Sequence, residues 1–171
     1  MSLYRIASFF TLVAGFVLIL GGDVLALADK KADAEKYTKE LKTSKDAKVR
    51  VTALEELAKI GQIHKPLIKD AEPEMVKAMT DADRTVRIAA LKAVGMIDPD
   101  VKEVMPIFTK ALNEEKDEPI RLAAINGLAA MGPNAKDAAK DLKKIVKDED
   151  KTSKLSKAAK NALKVIVVKK S

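Results

Sequence analysis

Four segments of this 171-residue chain repeat one apolar pattern, and this repeat restricts the possible folds more than any other feature. The segments align without gaps from Val49, Val86, Ile120 and Leu155, at spacings of 37, 34 and 35 residues. In each segment the first residue and those 4, 5, 8 and 11 positions later are apolar, with Lys160 the one exception among twenty. This spacing places them on one face of an α-helix. Because such a helix cannot bury its apolar face alone, the pattern predicts an all-α solenoid of stacked helices.

Shorter apolar segments between these four predict a second set of helices. We call the repeated helices the A helices and their partners the B helices. The B segments are residues 73–79, 106–112 and 138–146. Pro73 and Pro106 lack a backbone N–H, so a B helix should begin or bend at each proline.

Turn-forming residues lie between the predicted helices. Gly61 and Gly132 follow the A pattern, where a left-handed glycine would close each helix. Asp98 precedes Pro99 and is expected to cap the next helix. Pro133 follows Gly132 directly, which predicts that one helix ends and the next begins within three residues.

The starts of the A helices resemble those of the HEAT family of helical repeats. An Asp-x-x-x-Arg motif with an apolar residue before the arginine occurs three times. The pairs are Asp46 with Arg50, Asp83 with Arg87, and Asp117 with Arg121. The likeness covers residues 46–171, about three and a half repeats. Since the period is shorter than the roughly 40–47 residues of typical HEAT repeats, the closer likeness is to the short HEAT-like repeats of phycobilisome-lyase-type proteins.

This resemblance implies a right-handed superhelix that binds other proteins, in which the motif residues form a structural ladder between repeats. Elementary helix physics gives a related role, because an aspartate caps a helix start and can pair with an arginine four residues later. In the fourth repeat Ser156 replaces the arginine and Lys160 replaces an apolar residue. We expect these polar residues to mark the exposed end of the array.

Residues 1–28 differ in composition from the rest of the chain. Residues 6–20 carry no charge, and Ala26-Leu27-Ala28 precedes Asp29. This order is typical of a secretory signal peptide cleaved after Ala28, and it predicts an exported protein, periplasmic or secreted. Two alternatives stay open: residues 6–22 are just long enough for a membrane anchor, and the segment could be an internal core helix. The predicted organisation is a signal peptide or anchor at 1–28, an N-terminal capping helix at 29–45 and the repeat domain at 46–171.

The net charge of +7 is concentrated at the C-terminal end. Residues 29–132 have equal numbers of basic and acidic side chains, whereas residues 133–171 carry the whole excess. Two rows of lysine recur at helical spacing, at Lys136, Lys140, Lys143 and Lys147 and at Lys154, Lys157, Lys160 and Lys164. They are interpreted as solvated outer faces, with a docking patch for an anionic membrane or polymer as the alternative.

Residue types needed for several kinds of chemistry are missing from the sequence. The chain has no cysteine and one histidine, His64, which excludes thiolate sites and any two-histidine metal site. No catalytic motif is present, so we expect no cofactor, no metal and no enzymatic activity, although the resemblance leaves a lyase-type enzyme as a weaker alternative. Nucleic acid is not expected as a partner, because the aromatics beyond residue 28 are Tyr37 and Phe108 alone.

The function favoured by the sequence is a non-catalytic protein-binding scaffold that presents the face of its B helices to a protein partner, with an acidic protein as a candidate. The alternative is a membrane-tethered protein whose basic C-terminal repeat docks on an anionic surface. By analogy of fold, the candidate contact residues are Lys69, Lys77, Lys102, Thr109, Lys110, Lys140, Lys143 and Lys147.

Overall fold

A computed structural model describes residues 26–167, which form eight α-helices and two short 3-10 helices without any strand. The helices are α1 (26–43), α2 (Ala47–Ile63), α3 (Glu72–Ala78), α4 (Arg84–Met96), α5 (Val101–Asn113), α6 (Glu118–Met131), α7 (Ala139–Asp148) and α8 (Lys154–Ile166), with 3-10 helices at Lys65–Ile68 and Gly132–Ala138. The leader predicted at residues 1–28 lies outside the described residues, except for 26–28. Those three residues begin α1, so this helix starts earlier than the predicted residue 29.

The helices form two layers. The A helices α2, α4, α6 and α8 pack on one another in chain order. The B helices α3, α5 and α7 each pack against the A helix that follows them in the chain. Helix α1 lies beside α3, because Nζ of Lys42 in α1 is 3.8 Å from Oε1 of Glu74 in α3. Ala34 and Leu41 of α1 are buried. Successive helix pairs therefore stack side by side, as the repeat predicts.

The buried core follows the repeated pattern most strictly in the central A helices. All five pattern positions are buried in both α4 and α6. The exceptions lie in the terminal A helices, where Val49, Lys160 and Leu163 are only half-buried. A terminal helix has a neighbour on one side only, which leaves part of its apolar face uncovered.

Three of the four glycines that follow or lie within the A pattern are needed for close packing. Gly61 lies inside α2, so the expected left-handed closure there is wrong. A Cβ at Gly61 would lie 2.9 Å from Cγ2 of Ile97, which explains why a larger residue does not fit. A Cβ at Gly95 would lie 2.6 Å from Cα of Gly127, so α4 and α6 touch through their backbones. Gly132 does close α6, with a φ of 57°.

The start of α5 differs from the prediction. Asp100, and not Asp98, caps this helix, because its carboxylate accepts a hydrogen bond of 2.9 Å from the backbone N–H of Lys102. The helix begins at Val101, two residues after Pro99, so the capping position falls on the second aspartate. Asp98 instead has a φ of 52° and accepts a hydrogen bond of 2.9 Å from the side chain of Asn134.

The two prolines of the B helices have different positions. Pro73 lies in the first turn of α3, so that helix begins there as expected. Pro106 lies inside α5, which begins five residues earlier, so the helix does not begin at this proline.

Ser156 is completely buried, which corrects the expectation that it would mark the exposed end of the array. Arginines at the equivalent position keep about a fifth of their side chains exposed, 16% for Arg50 and 22% for Arg121. Serine is too short to reach solvent from the same place. Lys160, by contrast, is half-buried at the end of the array.

Leu91→Asp tests the assigned packing register. Leu91 has no exposed surface, so the substitution places an unpaired charge in the core and should lower the free energy of unfolding by about 3 kcal/mol or more. The neighbouring Lys92→Asp is the matched control, because Lys92 is exposed. Denaturant unfolding measures both variants. Equal stability of Leu91→Asp and wild type would contradict the register.

Candidate protein-interaction surfaces

The three motif aspartates cap the A helices. The carboxylate of Asp46 accepts a hydrogen bond of 2.8 Å from the backbone N–H of Lys48 at the start of α2. Asp83 and Asp117 cap α4 and α6 in the same way. In the described residues none of these carboxylates pairs with the arginine four positions later, so the expected pairing within one helix is wrong. The aspartate is committed to backbone N–H groups that its own helix leaves unpaired.

The motif arginines reach into the loops instead. Arg50 donates hydrogen bonds to the carbonyls of Ser44 and Lys45 and binds the Asp81 carboxylate of the next repeat at 2.8 Å. Arg121 donates to the carbonyl of Leu112 and binds Glu149 at 2.8 Å.

Arg87 makes the equivalent loop contacts, to the carbonyls of Asp81 and Ala82. Arg84, which is outside the motif, donates two hydrogen bonds to the carboxylate of Asp117. Polar contacts thus join neighbouring repeats, but the acidic partners of Arg50 and Arg121 lie in the loops and not in the motif. The three motif arginines are half-buried and are used inside the array, whereas Arg84 is exposed.

The ionisation of the capping carboxylates reflects these contacts. The hydrogen bond from Arg84 is the main cause that holds the pKa of Asp117 below its ordinary value. For Asp83, the hydrogen bond from the Thr85 hydroxyl is the main cause of a lowered pKa, followed by backbone N–H groups. Each carboxylate is therefore stabilised in its charged form.

The candidate partner-binding residues are spread along the B layer. Lys69 lies in the turn before α3, and Lys77 lies in α3, 3.8 Å from Glu74. Lys140, Lys143 and Lys147 are exposed on α7. These five residues do not form one site.

Lys102, Thr109 and Lys110 come together on α5. They line an open groove of about 580 Å³ with Met105 and Pro106. The lysines are exposed, whereas Thr109 and Met105 are half-buried. Apolar side chains in the groove and ammonium groups around it give this surface a mixed character suited to peptide contact.

A second groove, which the sequence analysis did not identify, lies between α2 and α4 on the outer side of the A layer. It has a volume of about 360 Å³, and its apolar residues include Val51, Ile88 and Met96. Met96 is 39% exposed. The sequence does contain an indication of this groove, because Val51 and Ile88 occupy the same position of the repeat, two residues after Val49 and Val86.

Between residues 26 and 167, no group of three or more His, Asp or Glu side chains is arranged to hold a metal ion. His64 is exposed at the end of α2, as expected for a connecting turn. No helix in this range combines the length and apolar content needed to cross a membrane.

Asp117→Asn tests the charged link between α4 and α6. Asparagine is also a good N-cap, so the variant mainly removes the charge that Arg84 binds. The pKa of Asp117 is lowered in the folded state. Its charged carboxylate therefore contributes fully to the stability of the fold above the unfolded-state pKa of about 4, and this stability is lost as pH falls through the folded-state pKa.

We therefore expect Asp117→Asn to melt below wild type at neutral pH, and the difference to shrink in acid. Thermal melts across the pH range measure this, with the exposed turn residue Asp70→Asn as the control. A difference in melting temperature that stays constant with pH would contradict the assigned link.

Comparison with known proteins places the chain in a family. No curated protein matches it. The family description of HEAT repeats matches residues 34–129, more than half of the chain, from the middle of α1 to the end region of α6. The match begins twelve residues before the likeness expected from Asp46 and is to HEAT repeats in general, so the likeness to the phycobilisome-lyase type stays a prediction. The two-layered stack of helix pairs and the capped, arginine-linked A helices agree with this match, and the chain belongs to the HEAT-repeat family.

Proposed function

We propose that this protein is a non-catalytic scaffold that binds another protein through the groove on α5. The helix pairs would form the right-handed superhelix of HEAT repeats, and the B layer would carry the partner. The observation behind this proposal is that Lys102, Thr109 and Lys110, three of the residues singled out from the sequence, line one groove.

The chemistry of the groove suggests the kind of segment that it would bind. Met105 and Pro106 supply apolar contact area, and the lysines Lys102 and Lys110 outnumber the acidic lining residue Glu114. An acidic segment with one or two apolar side chains would match both features, since apolar anchors contribute affinity and charges contribute orientation and association rate. Because Lys102 and Lys110 are exposed, binding of an acidic segment would not incur the desolvation cost of a buried ion pair.

The leader bears on where this scaffold works. We propose that it directs export and is removed after Ala28, which would make Asp29 the first residue of the native protein. The alternative is a tethered protein that keeps residues 6–22 as an anchor, which the uncharged span favours. The mass of the native N-terminal peptide distinguishes the two, because only the tethered form retains Met1.

A site-specific photocrosslinker tests the binding face. Placed at Thr109, it should capture a partner in the native envelope, whereas the same probe at Lys92 on the outer A layer should not. Lys102→Glu with Lys110→Glu should abolish the Thr109 product, because the charge of the groove is reversed. The matched control is Lys39→Glu with Lys48→Glu, two exposed lysines outside the groove. Products formed only from Lys92 would show that the B layer is not the binding face.

A further inference from the structure

The C-terminal A helix carries lysines at positions that hold small or apolar residues in the other three. With the helices aligned on Val49, Val86, Ile120 and Leu155, the third, sixth and tenth positions differ in this way. They are Val51, Leu54 and Ala58 in α2; Ile88, Leu91 and Gly95 in α4; Leu122, Ile125 and Ala129 in α6; and Lys157, Lys160 and Lys164 in α8.

In α4 the sixth and tenth of these positions face the next repeat, whereas the third lies at the groove between α2 and α4. Gly95, at the tenth position of α4, is in backbone contact with Gly127 of α6. The carbonyl of Leu91, at the sixth position, also lies against Gly127. Among residues 26–167 no helix follows α8, so no helix in this range packs on the corresponding side of α8. Lys157 and Lys164 are exposed there, and Lys160 is half-buried.

Helix α7 carries a second row of lysines, on the side opposite its buried residues. Helices α5 and α7 can be aligned with a separation of 34 residues. This alignment matches the buried Phe108 with the buried Leu142, and the buried Ala111 with the buried Ile145. On this alignment most of the positions that line the α5 groove are occupied by lysines, although Met105 corresponds to Ala139 and Glu114 to Asp148. Lys136, Lys140, Lys143 and Lys147 correspond to Lys102, Pro106, Thr109 and Asn113. We call these four lysines, with Lys157, Lys160 and Lys164, the basic end face.

The neighbouring carboxylates do not neutralise this face. Among residues 26–167, none of its seven lysines lies within 4.0 Å of a carboxylate oxygen. Glu149 is bound by Arg121, and Asp150 accepts hydrogen bonds from Thr152. Asp137, Asp141 and Asp148 recur at spacings of 4 and 7 residues, which places them on another edge of the helix.

We propose that the basic end face docks on an anionic lipid bilayer. Six of its seven lysines are exposed, so they can attract a sheet of negative headgroups, and clusters of about four to eight basic residues are typical of such binding. Strong protein interfaces are enriched in buried aromatic and arginine anchors, whereas the large apolar side chains exposed near this face are Val165 and Val167. Nucleic acid is less favoured because the face has neither arginine nor aromatic residues. This proposal uses a different surface from the α5 groove and does not depend on the proposed function.

Vesicle binding by the full chain tests the proposal. Vesicles of phosphatidylcholine alone measure any apolar attachment, including that of the leader, and vesicles that also contain phosphatidylserine measure the contribution of charge. We expect tighter binding to the anionic vesicles, which is lost at high salt. Lys143→Glu, Lys157→Glu and Lys164→Glu together should weaken that binding about a hundredfold. The charge-matched control is Lys39→Glu, Lys45→Glu and Lys92→Glu, three exposed lysines away from the end face.

Each outcome decides for or against the bilayer. The proposal is supported if only the end-face triple variant loses binding to anionic vesicles while its thermal melt equals that of the control variant. Equal binding to both vesicle types, or equal loss in both triple variants, would overturn the proposal. Tighter binding of polyglutamate or duplex DNA than of anionic vesicles would also overturn it, and would assign the face to an acidic protein or to nucleic acid.

Discussion

The direct contact between consecutive A helices is the constraint on which the rest of this array depends. It is closest between α4 and α6, where Gly95 and Gly127 bring the two backbones together and leave no space for a Cβ. Glycine in the middle of a helix costs about 0.5–1 kcal/mol relative to alanine, so its presence here indicates a packing requirement. Phe108 of α5 lies against Gly127 as well, 2.7 Å from where a Cβ would be, and so connects the two layers at the same point. The distance between the central repeats, and with it the position of the α5 groove, follows from this contact.

The periodic part of the sequence predicted most of the fold, because a buried helix face repeats every three to four residues whatever its surroundings. The A helices and their buried positions could be located from that pattern alone. The errors concern contacts between segments far apart in the chain. Gly61 is small because Ile97 lies against it, which no local pattern records. The acidic partner of Arg50 is Asp81, thirty-one residues away, and not the aspartate four positions earlier. Whether Asp98 or Asp100 caps α5 depended on the position of the first helical residue, which helix propensity does not determine to within two residues.

The surfaces could be predicted less completely than the core. Three of the candidate contact residues share the α5 groove, but the sequence could not separate them from the lysines that lie apart. The groove between α2 and α4 was missed, because Val51 and Ile88 look like core residues until the position of the next helix is known. The basic end face shows the same dependence. Its lysines resemble an ordinary solvated surface in the sequence, and only the stacking order shows that Lys160 and Lys164 occupy the positions through which α4 packs on α6.

The effect of Gly95→Ala on the free energy of unfolding tests the central contact most directly. Helix propensity alone predicts that alanine stabilises this position by about 1 kcal/mol. If α4 and α6 touch as described, the added methyl group collides with the backbone of Gly127, and the variant must be less stable than wild type. Asn126→Ala, at an exposed position of α6, serves as the control and should be neutral or stabilising. A Gly95→Ala protein as stable as wild type, or more stable, would contradict the account.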